Sequence, residues 1–242
     1  MTAFEMAVQD AAGIGVAATL GVDRVELCAA LSLGGLTPSV GLIEAATAAG
    51  IATHVLVRPR GGDFEYDDAE RTLIVDDARW ACSRGAAGVV VGGLRDGAID
   101  EELVDRVLAV AGGADVTFHR AFDNLSDLDA GLDRLAAIGV TRILTSGGAA
   151  RADDALDVLR RLVRRAGGAI EIMAGSGVRS DNAARIAATG VDAVHASAKR
   201  SVAGRPGVAL GSAAIDGGGY ETVDPDEARR LFGILRSTEE AR

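Results

Sequence analysis

Short apolar runs alternate along the chain with longer amphipathic stretches, and polar or glycine-rich breaks separate the two. The runs Ala3–Val8, Arg24–Cys28, Ile51–Val57, Gly88–Val91, Asp115–His119, Arg142–Thr145, Ala169–Met173 and Ala193–Ala196 predict eight strands. The stretches between them predict helices over about 9–20, 38–49, 66–84, 99–111, 125–138, 152–166 and 180–189, with a last one near 224–236. Ser180-Asp181-Asn182 and Asp224-Pro225 are helix-start signals, the second placing proline in the first turn. Strands separated by helices imply right-handed βαβ units, and eight of them match the size of a (β/α)8 TIM barrel spanning residues 1–242 as one domain. A doubly wound open sheet is the alternative, but no GxGxxG follows the first strand. Residues 201–223 form the one long irregular stretch. Lying after strand eight, it reads as a lid over the barrel mouth or as an idle surface loop.

Composition sharpens this picture. Of 242 residues, 48% are hydrophobic but only 3% aromatic, so the core must be built from Val, Leu, Ile and Ala. Such residues suit a parallel sheet covered on both faces. The formal net charge of −10 argues against a nucleic-acid partner, because phosphate backbones call for a basic surface. Cys28 and Cys82 form no disulfide framework, the first 20 residues do not read as a signal peptide, and no run of 18 apolar residues occurs. The expectation is a cytoplasmic protein without a membrane partner.

In a barrel, function gathers where strands end at their carboxyl termini. Strand three runs into Arg58-Pro59-Arg60-Gly61-Gly62-Asp63-Phe64, where proline stops the ladder and two guanidiniums stand ready to hold a phosphate or carboxylate. The competing reading is an Arg–Asp pair that caps a loop. Strand five ends in His119-Arg120-Ala121-Phe122-Asp123, strand six in Ser146-Gly147-Gly148, strand seven in Gly175-Ser176-Gly177, and strand eight carries His195, Ser197 and Lys199. The glycine clusters offer backbone N–H groups to an anion, or else simply make tight turns. Arg58, Arg60, Asp63, Arg120, Asp123, Ser146, Gly147, Gly175, Gly177, His195, Ser197 and Lys199 are therefore the candidate ligand-binding residues. Glu5, Glu26 and His119 are the candidate acids and bases of an enzyme. A structural alternative pairs Glu5 and Glu26 with Arg58 and Arg120 inside the barrel. Alternation in strand two puts Glu26 and Cys28 on one face and Val25 and Leu27 on the other. Cys28 is the candidate metal ligand, since Cys and His suit Cu(I) or Zn(II).

The stretches Val25–Ala30, Gly34–Ser39, Arg58–Phe64, Thr117–Asp123, Leu144–Gly147, Ile172–Val178 and Val194–Ser197 resemble the CutC family in order and spacing. RPRGGDF and TFHRAFD are long and unusual enough to carry the resemblance on their own. It implies a TIM barrel, a cytoplasmic location, often a homo-oligomer, and copper homeostasis through Cu(I)-binding cysteines. One departure is visible: the first strand reads Glu5-Met6-Ala7 where the family often has Glu-Val-Cys, leaving Cys28 with Met6 as a thioether neighbour. Two functions follow. One is copper handling at Cys28. The other is a barrel enzyme acting on a small phosphorylated or carboxylated metabolite.

Overall fold

The computed structural model describes residues 2–204 and 219–240. Eight parallel strands close into a barrel: β1 (Ala3–Val8), β2 (Arg24–Leu27), β3 (Thr53–Leu56), β4 (Gly88–Val91), β7 (Asp115–Phe118), β8 (Arg142–Thr145), β9 (Glu171–Ala174) and β10 (Ala193–Ala196). Closure is made by β1, which pairs with β2 on one side and β10 on the other. All eight strands stand where the apolar runs placed them, within two residues at either end. Between β4 and β7 lies an additional two-residue hairpin, β5 (Leu94–Arg95) with β6 (Ala98–Ile99). Asp96 and Gly97 turn it with φ of 53° and 75°, the geometry that an Asp-Gly pair favours.

The helices are α1 (Ala11–Leu20), α2 (Val40–Ala48), α3 (Asp68–Ser83), α4 (Glu101–Ala111), α5 (Leu128–Ala137), α6 (Leu156–Ala166), α7 (Ala183–Ala187) and α8 (Pro225–Glu240). Side-chain caps fix several starts. Asp10 accepts from the Gly13 amide, and Asp67 with Glu70 forms a reciprocal capping box on α3. Three helices start three or four residues later than the pattern predicts. The 125–138 stretch becomes helical only at Leu128, after a 3₁₀ turn over Arg120–Asn124, and the 152–166 stretch opens with a separate turn, Ala152–Asp154. In the 180–189 stretch the first residues serve as ties: Ser180 donates to Glu227, and Asn182 donates to the Gly177 carbonyl.

The predicted irregular segment 201–223 is regular at both described ends. Its residues join β11 (Lys199–Val202) and β12 (Tyr220–Val223), an antiparallel ribbon beside the barrel. The rest of the expected lid, residues 205–218, lies outside the described residues.

Alternation along each strand sorts the side chains into two populations. Val25, Leu27, Val55, Val89, Val116 and Ile143 point outward into one continuous core shared with the helices. The inward positions are markedly polar. Near the strand amino termini, buried Arg142 is bonded to Glu171 (2.6 Å), Thr117 (3.1 Å) and Asp115 (3.3 Å), and approaches His54. This cluster plugs one end of the barrel with satisfied charge. Gly88 makes room for it, because a Cβ there would lie 2.8 Å from the Asp115 carbonyl oxygen and 3.0 Å from His54. Among the described residues no helix is long and apolar enough to cross a membrane.

Candidate functional site

Above the plug, neighbouring strands assemble a linear chain of charges. Register places Glu5 of β1 between Arg24 of β2 and His195 of β10. The Glu5 carboxylate accepts from Arg24 Nε at 2.7 Å and from His195 Nδ1 at 2.8 Å, and is fully buried. Burial works against its charge, but His195, Arg24 and His54 together hold its carboxyl far below the ordinary range. His195 presents its other nitrogen, Nε2, to the Glu26 carboxylate at 3.7 Å. Burial opposes the imidazolium there too, yet Glu26 and Glu5 outweigh it and raise the His195 pKa. Glu26 has no such generous partners: burial, with Glu5 repelling, pushes its carboxyl from 4.5 to about 7 despite His195. The expected pairing of Glu5 and Glu26 with Arg58 and Arg120 is thus corrected. Arg24 shares the inward parity of Glu26, so it reaches Glu5 directly.

Glu26 and His195 open onto a cavity of about 520 Å³ at the carboxyl-terminal mouth, lined also by Arg58, His119, Arg120, Gly177, Ser197 and Lys199. Of these, Arg58 is buried and ties the scaffold together with its terminal nitrogens, while its Nε has no partner among the described residues. Its guanidinium donates to the carbonyls of Leu33, Gly35 and Gly62 at 2.8–3.0 Å, gathering two loops, while no carboxylate among the described residues pairs with it. His119 is also buried and packs at a tilt against Phe64, the ring centroids 4.8 Å apart and the planes at 51°. Its Nδ1 accepts from the Ala121 amide at 3.1 Å. Burial, then the charges of Arg58 and Arg120, drive its pKa down to about 3, which favours the neutral ring at physiological pH. Gly92 is needed beside it, because a Cβ there would meet the imidazole at 2.3 Å.

Other candidate anion ligands prove to be occupied or remote. Arg60 and Asp63 pair with one another at 3.1 Å and Arg60 with Glu70 at 2.5 Å, outside the cavity lining. Asp123 fills the glycine turn after β8 with its own carboxylate, accepting from the Ser146 and Gly148 amides, the Ser146 and Thr145 hydroxyls, and Arg120. The Gly147 amide is bonded to Thr145 Oγ1 and the Gly175 amide to the Thr145 carbonyl. The turn after β9 differs. Ser176 and Gly177 adopt φ of 81° and 69°, strained for the serine. The amides of Ser176, Gly177 and Val178 have no acceptor among the described residues, and all three residues line the cavity. Around them stand Arg151, which reaches the Gly177 carbonyl and Asp153, and the exposed Arg179, whose guanidinium forms no ion pair among the described residues. Lys199, the one lysine of the chain, closes the same rim and pairs with Glu221 at 2.7 Å. Sequence reasoning passed over Arg151 and Arg179; their position just beyond glycine-rich turns was the available signal.

The sulfur donors do not converge. Cys28 packs against Leu56 and Val90, where burial and then Glu26 push its thiol well above the ordinary range. A metal-binding cysteine needs the opposite environment. Met6 faces the helices in the outer core rather than Cys28, Cys82 lies on α3, and the Met173 sulfur accepts from Arg24 at 3.4 Å. The one group of potential ligands among the described residues, Glu5, Glu26 and His195, has its donor atoms within 4.8 Å of one another and consists of hard and borderline donors. These residues do not fit Cu(I).

A closed (β/α)8 barrel with a polar cavity at its carboxyl-terminal mouth is the class this geometry defines. Residues 2–200 match the CutC family, and the chain belongs to it. It is 38% identical over 233 residues to the family protein CutC of Agrobacterium fabrum, covering 96% of this chain and 93% of that one. With the corresponding protein of Sinorhizobium medicae it is 43% identical over 180 residues, 74% of each chain. The crystal structure of CutC from Streptococcus agalactiae, a protein whose name attaches it to copper homeostasis, superposes with a TM-score of 0.77 at 34% identity, covering 81% of this chain and 99% of that one.

Proposed function

We propose that this chain is a cytoplasmic enzyme that moves protons on a small phosphorylated or carboxylated metabolite held at the barrel mouth. The observation that carries the reading is Glu26: a buried carboxyl with its pKa raised to about 7, opening on the cavity beside an imidazole that Glu5 and Arg24 hold in place. A group poised near neutrality takes and returns protons with little driving force wasted either way. The anion would rest on the Ser176–Val178 amides with Arg179, Arg151 and Lys199 around it, the place where barrels commonly hold phosphate. Its negative charge would meet a rim of cations in a molecule that is acidic as a whole.

A role in copper handling, the other reading and the one the family's name suggests, has less support, because Cys28 is alone and protonated in an apolar pocket.

The test is a thermal-shift screen against phosphate- and carboxylate-bearing metabolites. Ligands of this class should raise the melting temperature, and Arg179→Ala should remove the effect without lowering the melting temperature of the free protein. No stabilisation by any of them contradicts the reading.

A further inference from the structure

Among the described residues two cavity-lining side chains carry a buried polar atom that has no partner, Arg58 at Nε and His119 at Nε2. His119 as a residue is 5% exposed, and its Nε2 finds no hydrogen-bond acceptor among the described residues. The other nitrogen settles which kind of atom Nε2 is. Nδ1 accepts the Ala121 N–H and therefore carries no proton, so a neutral ring bears its proton on Nε2. An orphaned, buried N–H donor costs free energy unless something oxygen-rich arrives to accept from it. Phe64 packs at a tilt against the ring, the Ala121 amide holds its edge, and Gly92 leaves it room, so its direction is fixed before any ligand binds.

We propose that His119 donates its Nε2–H to the carbonyl oxygen of the substrate, and that the reaction is enolisation of a phosphorylated α-hydroxy aldehyde or ketone. The proposal rests on the acid–base reading above and adds the substrate's reacting group to it. The ionised Glu26 carboxylate removes the proton from the carbon next to the carbonyl. The C–H electron pair becomes the C=C bond, the carbonyl π pair moves onto oxygen, and the resulting enolate oxygen accepts from His119. Return of the proton from Glu26 to carbon completes the cycle, with nothing oxidised or reduced. A neutral imidazole suits this task better than an imidazolium, because its Nε2–H can stabilise the enolate without surrendering its own proton. Burial first, and then the positive charges of Arg58 and Arg120, disfavour protonation of the ring.

Two measurements test this. The first is nitrogen NMR of the imidazoles in the whole protein, with 2-phosphoglycolate as an enolate-like probe. The His119 ring should stay neutral with its proton on Nε2 from pH 5 to 8, and the Nε2 proton should move downfield when the probe binds. A ring protonated on Nδ1, or one titrating near 6.5, overturns the proposal. The second is exchange of carbon-bound hydrogen in D2O with dihydroxyacetone phosphate, ribose 5-phosphate and fructose 6-phosphate. Exchange should be found with at least one of them, lost in Glu26→Gln, reduced about 100-fold or more in His119→Phe, and restored to within about tenfold by His119→Gln, which keeps a donor at the Nε2 position. Exchange that needs Glu26 but survives His119→Phe undiminished overturns the role of His119 while leaving the acid–base reading intact. No exchange with any of the three overturns the proposed reaction, and the thermal-shift screen then decides the anion-site reading separately.

Discussion

Glu5 accepts a hydrogen bond from His195 Nδ1 at 2.8 Å, although 190 residues separate them in the chain. The contact spans the seam where β1 and β10 close the barrel, so the geometry of the candidate site and the closure of the fold are the same event. Arg24, on the other flank of Glu5, makes that buried carboxylate tolerable. Arg24→Met should therefore destabilise the protein by about 3–5 kcal/mol, because Glu5 loses its strongest permanent cation. Adding Glu5→Leu should recover part of the loss, since an apolar replacement of both partners removes the unpaired charge. Urea denaturation of the single and double variants measures this; equal stability of Arg24→Met and the parent would contradict the pairing.

Glu26 gives stability an unusual pH dependence. Its folded pKa lies near 7 against an ordinary 4.5, so between those values the native chain keeps a proton that the unfolded chain has released. The unfolded state then binds fewer protons, and this group's contribution makes stability fall as pH rises through the window. Glu26→Gln carries no such proton. The variant should gain on the parent across pH 4.5–7 by about 1–3 kcal/mol in total, read from urea midpoints at four pH values. Glu5 works in the other direction: its depressed pKa contributes stability above pH 4.5 that is lost as pH falls.

Copper binding offers a clean contrast between the two functions. In an anaerobic competition titration, wild type and Cys28→Ala should show the same weak Cu(I) affinity, because the thiol is held protonated among Leu56 and Val90. The substitution itself should cost about 1–2 kcal/mol from the small void it leaves. Tight wild-type binding that vanishes in the variant would restore the sulfur site.

Asp123 acts as an internal anion for the turn after β8, taking two amides, two hydroxyls and the Arg120 guanidinium. Asp123→Asn replaces an acceptor oxygen with a donor facing other donors. It should destabilise by about 1–3 kcal/mol and raise hydrogen exchange at Ser146 and Gly148 first. Unchanged exchange there would contradict the assignment of those amides.

Much of the architecture was legible in the sequence because strand burial writes itself as short apolar runs, and βαβ chirality leaves few ways to close eight of them. Glu26 and Cys28 also share one face as alternation requires, with Val25 and Leu27 in the outer core. Pairings were not legible. Arg58 looked like an anion ligand and also staples two loops through their carbonyls; the Ser146–Gly148 turn looked like a phosphate cradle and already holds Asp123. Sequence shows which groups reach a strand end, but their competition for one another is settled only in three dimensions. The protonation state of His119 was hidden for the same reason, since it depends on an amide two residues away and on Arg58. The Asp96-Gly97 hairpin, by contrast, had a readable signal that the strand pattern overshadowed.

The most direct test of the central claim is a carbon NMR titration of the Glu26 carboxyl in protein labelled at its glutamate side chains, assigned by comparison with Glu26→Gln. A midpoint near 7 is the predicted result and would establish a proton-transfer group poised at physiological pH within the cavity. A midpoint near the ordinary 4.5 would contradict it and leave the cavity without its acid–base centre.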